Sequence, residues 1–140
     1  MKTLKTLSVS LLLATAFLSH AVVSAKNTCV VNINETPAKT ICLKHPAAAD
    51  VNKFFSEITM LTFEVYKPGA KEDIAKIISS LKNTPGIETV SEGHLTGDYQ
   101  AITITLKSAK NKAWFTAQFK KVGLNTIRIN NNPIVEVDKM

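Results

Sequence analysis

From residue 59 onward the chain switches between two hydrophobic periods. TMLTFEVY (59–66) alternates, with Leu61, Phe63 and Val65 on one face, the period of a half-buried strand. KEDIAKIISSLKN (71–83) then places Ile74, Ile77, Ile78 and Leu81 at helical spacing. Glu72 and Asp73 fall in the first turn of that helix, where the macrodipole favours acids. Pro85-Gly86 stops it. IETV (87–90) reads as a short strand, EGHLTGD (92–98) as a turn, and YQAITITLK (99–107) as a strand with Ile102, Ile104 and Leu106 facing inward. A second helix follows, with Ser108 as its expected cap. It carries Phe115, Phe119 and Val122 as an apolar stripe and ends at Gly123. TIRI (126–129) predicts a strand, NNNP (130–133) a turn and IVEV (134–137) a short edge strand. The order is β-α-β-β-α-β. Two amphipathic helices can bury their faces on one side of a four-stranded antiparallel sheet, which predicts an α+β, ferredoxin-like βαββαβ sandwich over 59–140.

The preceding stretch reads differently. CVVNIN (29–34), a turn around Pro37 and TICLK (40–44) predict an N-terminal β-hairpin extension spanning 26–58. PAAADVNKFFSEI (46–58) is open between a helix begun by Pro46 and a lead into the next strand through Val51, Phe54, Phe55 and Ile58. Residues 1–25 form another pattern: Lys2 and Lys5, an apolar run from Leu11 to Leu18, then small residues ending at Ala25. That is a secretory signal peptide, with cleavage expected after Ala25 and, as the alternative, after Ala21. The apolar run is too short for a stable membrane anchor.

Export changes the meaning of the charge and of the cysteines. The full chain is +6, but the signal holds two lysines and no acid, which leaves the mature protein at +4. That modest excess, in a periplasmic or extracellular protein, argues against a nucleic-acid partner. Cys29 and Cys42 are the two cysteines. In an oxidising compartment they predict a disulfide joining the arms of the hairpin, a bridge that contributes about 3 kcal/mol. The competing reading is a copper or zinc site using Cys29, Cys42 and His45, with His94 as a further ligand, since Cys42-Leu43-Lys44-His45 has Cys-x-x-His spacing. Asn34-Glu35-Thr36 also fits a glycosylation acceptor.

With the elements in place, the chain resembles the heavy-metal-associated domain of copper chaperones and metal-pumping ATPases. Phe63 and Val65 fall on that family's first-strand apolar pair, and Ile77 and Leu81 on its first-helix core positions. Pro85-Gly86-Ile87 with Val90 is similar to its P-G-V-x-x-V. Phe115, Phe119 and Gly123 match its L-x-x-x-I-x-x-x-G. The family's metal motif, M-x-C-x-x-C after the first strand, falls here on Pro68, Ala70 and Asp73. Both thiolates that select soft monovalent copper are missing. The resemblance therefore implies the fold and not the usual metal function.

No nucleophile–base pair, paired carboxylates or glycine-rich phosphate loop appears, so an enzyme is not expected and no cofactor is called for. The expected activity is non-catalytic binding of a protein partner in the cell envelope or of a small ligand. The candidate surfaces are the loop containing Tyr66, Lys67, Pro68, Gly69, Ala70 and Asp73, and an outward Trp114 on the second helix. Nothing in the sequence sets the oligomeric state.

Overall fold

The computed structural model describes residues 37–45 and 50–140. The signal peptide, Cys29, the CVVNIN arm, the glycosylation triplet and Pro46 lie outside the described residues. Within them the order is β1 (Thr40–Leu43), α1 (Val51–Glu57), β2 (Met60–Tyr66), α2 (Lys71–Lys82), β3 (Ile87–Thr96), β4 (Tyr99–Leu106), α3 (Lys112–Lys121), β5 (Thr126–Ile129) and β6 (Val135–Glu136), followed by a 3-10 turn at Val137–Lys139. The β-α-β-β-α-β succession expected from residue 59 is present as β2 to β5.

The strands form one six-stranded sheet in the order β3-β4-β2-β1-β5-β6. This differs from a four-stranded antiparallel sheet with a separate hairpin beside it. Thr40–Leu43 does not return along a hairpin. It lies inside the sheet, antiparallel to β2 (Ile41 opposite Val65) and parallel to β5 (Ile41 opposite Ile127). Both of its edges are occupied, so neither is open to a hairpin partner from 29–34. The reason is visible in burial: Ile41 and Leu43 are fully buried, and only a central strand hides apolar side chains that completely.

All three helices cover one face. Phe55 of α1, Ile74, Ile77, Ile78 and Leu81 of α2, and Phe115 and Phe119 of α3 join the inward residues of five strands in a single core cluster. Each such side chain contributes about 1.5–3 kcal/mol on burial. The open segment at 46–58 resolves as a helix at Val51–Glu57, capped by Asp50, whose carboxylate accepts from the Asn52 and Lys53 amides at 2.7 and 3.2 Å. An aromatic chain then links α1 to α3, with Phe55 and Phe115 ring centroids 4.7 Å apart.

Two further expectations are corrected. The cap of α3 is Asn111 rather than Ser108, its side-chain oxygen accepting from the Trp114 amide at 2.9 Å. The stretch 92–98 is not a turn either. β3 runs on to Thr96, and only Gly97-Asp98 connects it to β4, with Gly97 at φ +59. A two-residue hairpin with glycine first needs no longer loop. At the far end of α3, Gly123 (φ +80) ends the helix as expected, with the Leu124 amide reaching back to the Phe119 carbonyl at 2.9 Å.

The opposite face of the sheet has a different character. Thr62 and Thr103 bond across strands at 2.8 Å, as do Thr40 and Thr126, and Met60 is exposed at 63%. Tyr66, Cys42 and Tyr99 form a small second cluster there.

Candidate functional site

The loop leaving β2 is more tightly specified than its composition suggests. Lys67 adopts φ +41 and Gly69 φ +99. Lys67 donates its amide to the Asp98 carbonyl at 2.7 Å, tying the loop to the β3–β4 hairpin. Lys39, in the turn before β1, is also left-handed at φ +62 and donates its amide to the Tyr66 carbonyl at 2.7 Å, with a longer contact to that of Lys67 at 3.3 Å. Two non-glycine residues in this region of backbone space are unusual, since each costs about 1–2 kcal/mol. Surrounding hydrogen bonds must hold them there.

The loop's side chains divide by accessibility. Tyr66 and Pro68 are buried, while Lys67, Gly69 and Ala70 are exposed. The Lys67 ammonium lies 5.3 Å from the centroid of the Tyr66 ring. Asp73 stands over the loop: a Cβ added at Gly69 would fall 2.5 Å from its Oδ2. Glycine at 69 is therefore required both by φ and by the carboxylate. Asp73 also faces Lys39, with Oδ2 and Nζ 4.0 Å apart.

Next to this loop lies a cavity of about 190 Å³ lined by Lys39, Asp73, Lys76, Ile77, Ser80, Lys121 and Val122. It is formed where the α2 face bearing Asp73, Lys76, Ile77 and Ser80 meets the end of α3. The sequence pattern marked Asp73 as part of the loop, but not its neighbours here. Lys39, Lys76, Ser80 and Lys121 come from three separate elements, and each reads locally as an ordinary solvated residue.

Metal chemistry does not fit the family's position for it. Pro68 and Ala70 offer no side-chain ligand atom, and Asp73, packed on Gly69, is a single carboxylate, which is not a metal site. No group of three or more His, Cys, Asp or Glu side chains suited to a metal occurs among the described residues. The alternative set is not gathered either. Cys42 lies on the helix-free face with Tyr66, whereas the His45 ring packs 5.2 Å from Phe54 on the helix side. His94 is exposed in β3, three strands from β1 and so on the order of 14 Å away. The fourth member, Cys29, lies outside the described residues, so its pairing with Cys42 does too.

Trp114 is half-buried and packs against the main core, edge-on to Phe115 at 5.2 Å. Its Cζ2 would lie 3.8 Å from a Cβ on Gly86, so the indole roofs the Pro85-Gly86 turn rather than standing clear of the helix.

Among the described residues, the buried Tyr66 hydroxyl shows no hydrogen bond. Among the described residues, two exposed groups in the C-terminal turn have shifted titrations. The Lys120 ammonium, bonded at 3.1 Å, holds the Asp138 carboxyl below its usual value, and Glu136 raises Lys139. Both belong to the C-terminal turn rather than the cavity.

Compared with protein-family models, curated proteins and solved structures, the chain finds no match in any of the three.

Proposed function

We propose that this is an exported, non-catalytic binding module whose working end is the first crossover, where β2 passes into α2. The reading treats the fold as a ferredoxin-like core, similar to the heavy-metal-associated domain, into which β1 has been inserted between the first and last strands of the βαββαβ unit. β5 runs antiparallel to β2 across the inserted strand, which supports that view. One observation carries the functional part. Two left-handed lysines, Lys39 and Lys67, are held in place beside a cavity that three separate elements line. Backbone held in sparsely populated conformations concentrates at binding sites, because the surrounding structure must be built to keep it there.

A photocrosslinking residue at Lys67 in the mature protein tests the reading, with one at Lys107 in the second crossover as the control. The expected result is capture of a discrete envelope component from the Lys67 position alone, competed away by unlabelled protein. Equal capture from both positions, or none from either, would remove the assignment.

A further inference from the structure

We propose that the cavity beside the first crossover binds inorganic phosphate, in its monohydrogen form, in preference to sulfate. This rests on the reading of that end as the binding end and names the chemistry it takes. At about 190 Å³ the cavity is smaller than the roughly 300–1,000 Å³ of pockets that enclose drug-sized ligands. Its size suits a compact group.

The charges around it select the sign. Lys39, Lys76 and Lys121 face one carboxylate, Asp73, for a local balance of +2, and the Ser80 hydroxyl adds a donor. Lys76 and Ser80 are four residues apart on α2 and so share a face, with Asp73 one turn before Lys76. The third ammonium is delivered by a fixed backbone, since the left-handed turn at Lys39 is bonded to the end of β2. Its pairing with Asp73 is loose at 4.0 Å, with both side chains about two-fifths exposed (42% and 40%), and such pairs contribute little. Lys39 is thus available to an incoming anion. All three cations are compact ammonium groups rather than planar guanidinium forks. They suit charge spread over a tetrahedron better than a flat carboxylate.

Asp73 supplies the discrimination. An ionised carboxylate only accepts hydrogen bonds. It repels an oxyanion with no proton, as sulfate is at neutral pH, but accepts from the P–OH of hydrogen phosphate. The cations provide attraction for either ion, and Asp73 penalises the one that cannot donate.

The test is titration of the isotopically labelled mature protein at constant ionic strength and pH 7, following backbone amides, with sodium phosphate, sodium sulfate and glucose 6-phosphate as separate probes. Saturable shifts at Lys39, Lys76, Ser80 and Lys121 are expected with phosphate, with a dissociation constant on the order of 1 mM. Sulfate should bind at least about tenfold more weakly, a difference of about 1.4 kcal/mol. Lys76→Gln and Lys121→Gln, both at exposed positions, should each weaken phosphate binding by up to roughly fivefold. Lys107→Gln should leave it unchanged. Asp73→Asn, whose amide can donate, should bring the two anions to similar affinity. Glucose 6-phosphate, a monoester that is largely a dianion without a P–OH at pH 7, should bind about as weakly as sulfate, and binding of it as tight as that of inorganic phosphate would overturn the role given to Asp73. Absence of saturable phosphate shifts at these residues, or equal affinity for sulfate in the unmodified protein, overturns the proposal. If no anion binds while Lys67 still captures its partner, the anion chemistry falls and the binding-module reading stands. If phosphate binds and Lys67 captures nothing, the phosphate site stands and the envelope-partner reading falls.

Discussion

The loop into α2 and the loop into α3 perform the same topological task at opposite ends of the sheet, yet they are made differently. The second, after β4, has no left-handed backbone, closes on an Asn111 cap and is followed by Trp114 lying over the Pro85-Gly86 turn. The first has Lys67 and Gly69 at positive φ, and Ala70 at its cap position makes no side-chain hydrogen bond. It opens onto the lysine cavity. Capping and apolar cover stabilise one crossover. Those stabilising features are absent from the other, and the groups placed there instead are charged and accessible. The proposed binding end rests on this contrast, because strain and uncapped ends persist where something else requires them.

Substitutions can break this contrast at several levels. The largest effect lies in what both crossovers share, the core beneath them. Phe115→Ala should lower unfolding free energy by about 3–5 kcal/mol in urea denaturation, since the ring is fully buried between Phe55 and Phe119. Gly69→Ala comes next. The added methyl meets Asp73 at 2.5 Å on a backbone at φ +99, and a loss of about 2–3 kcal/mol is expected. Gly123→Ala has φ +80 but open space around it, so it should lose only about 1 kcal/mol. Equal losses at the two glycines would mean that Asp73 does not press on the loop.

The caps should respond in opposite directions. Asn111→Ala should destabilise by about 1 kcal/mol, whereas Ala70→Ser should stabilise by a similar amount, because its extended φ of −69° and ψ of 164° already suit a capping side chain. A thermal melt of the two variants checks the sign. Lys67→Gly should be smaller, a gain of about 0.5 kcal/mol, as relief of the left-handed backbone slightly exceeds glycine's added freedom in the unfolded chain.

The smallest effect is in acid. The Asp138 carboxyl titrates below its ordinary value of 3.8 because Lys120 bonds to it. A depressed carboxylate contributes stability that is present above its unfolded value and is lost as pH falls through its folded one. Asp138→Asn should therefore lower stability slightly at pH 7 and leave it unaltered well below pH 3.8. Identical shifts at both pH values would show that the ion pair has no part in it.

Periodicity was enough to find most of the layers. Leu61, Phe63, Val65, Ile77, Leu81, Ile102, Ile104, Phe119 and Ile127 are buried as their spacing implied, because a strand or helix with one apolar face has few ways to hide it. The loop's place was also legible, from its glycine, its proline and its position between a strand and a helix. Its cavity was not. Lys39 lies 34 residues before Asp73, and Lys121 another 48 beyond it, so no local pattern joins them.

What the amino-acid order settled alone was local: where the chain is extended, where it is helical, and which face of each element is apolar. Hydrogen bonding over a few residues and the period of the side chains decide those matters. The place of Thr40–Leu43 was decided only by packing. TICLK reads equally well as a hairpin arm or as a sheet-centre strand, and a four-residue strand has almost no preference for its neighbours until the partners on both sides exist. Once β2 and β5 flank it, Ile41 and Leu43 are buried, and the turn before it brings Lys39 to the end of β2, beside α2 and α3. The cavity exists because of that placement, which non-local contacts alone could select.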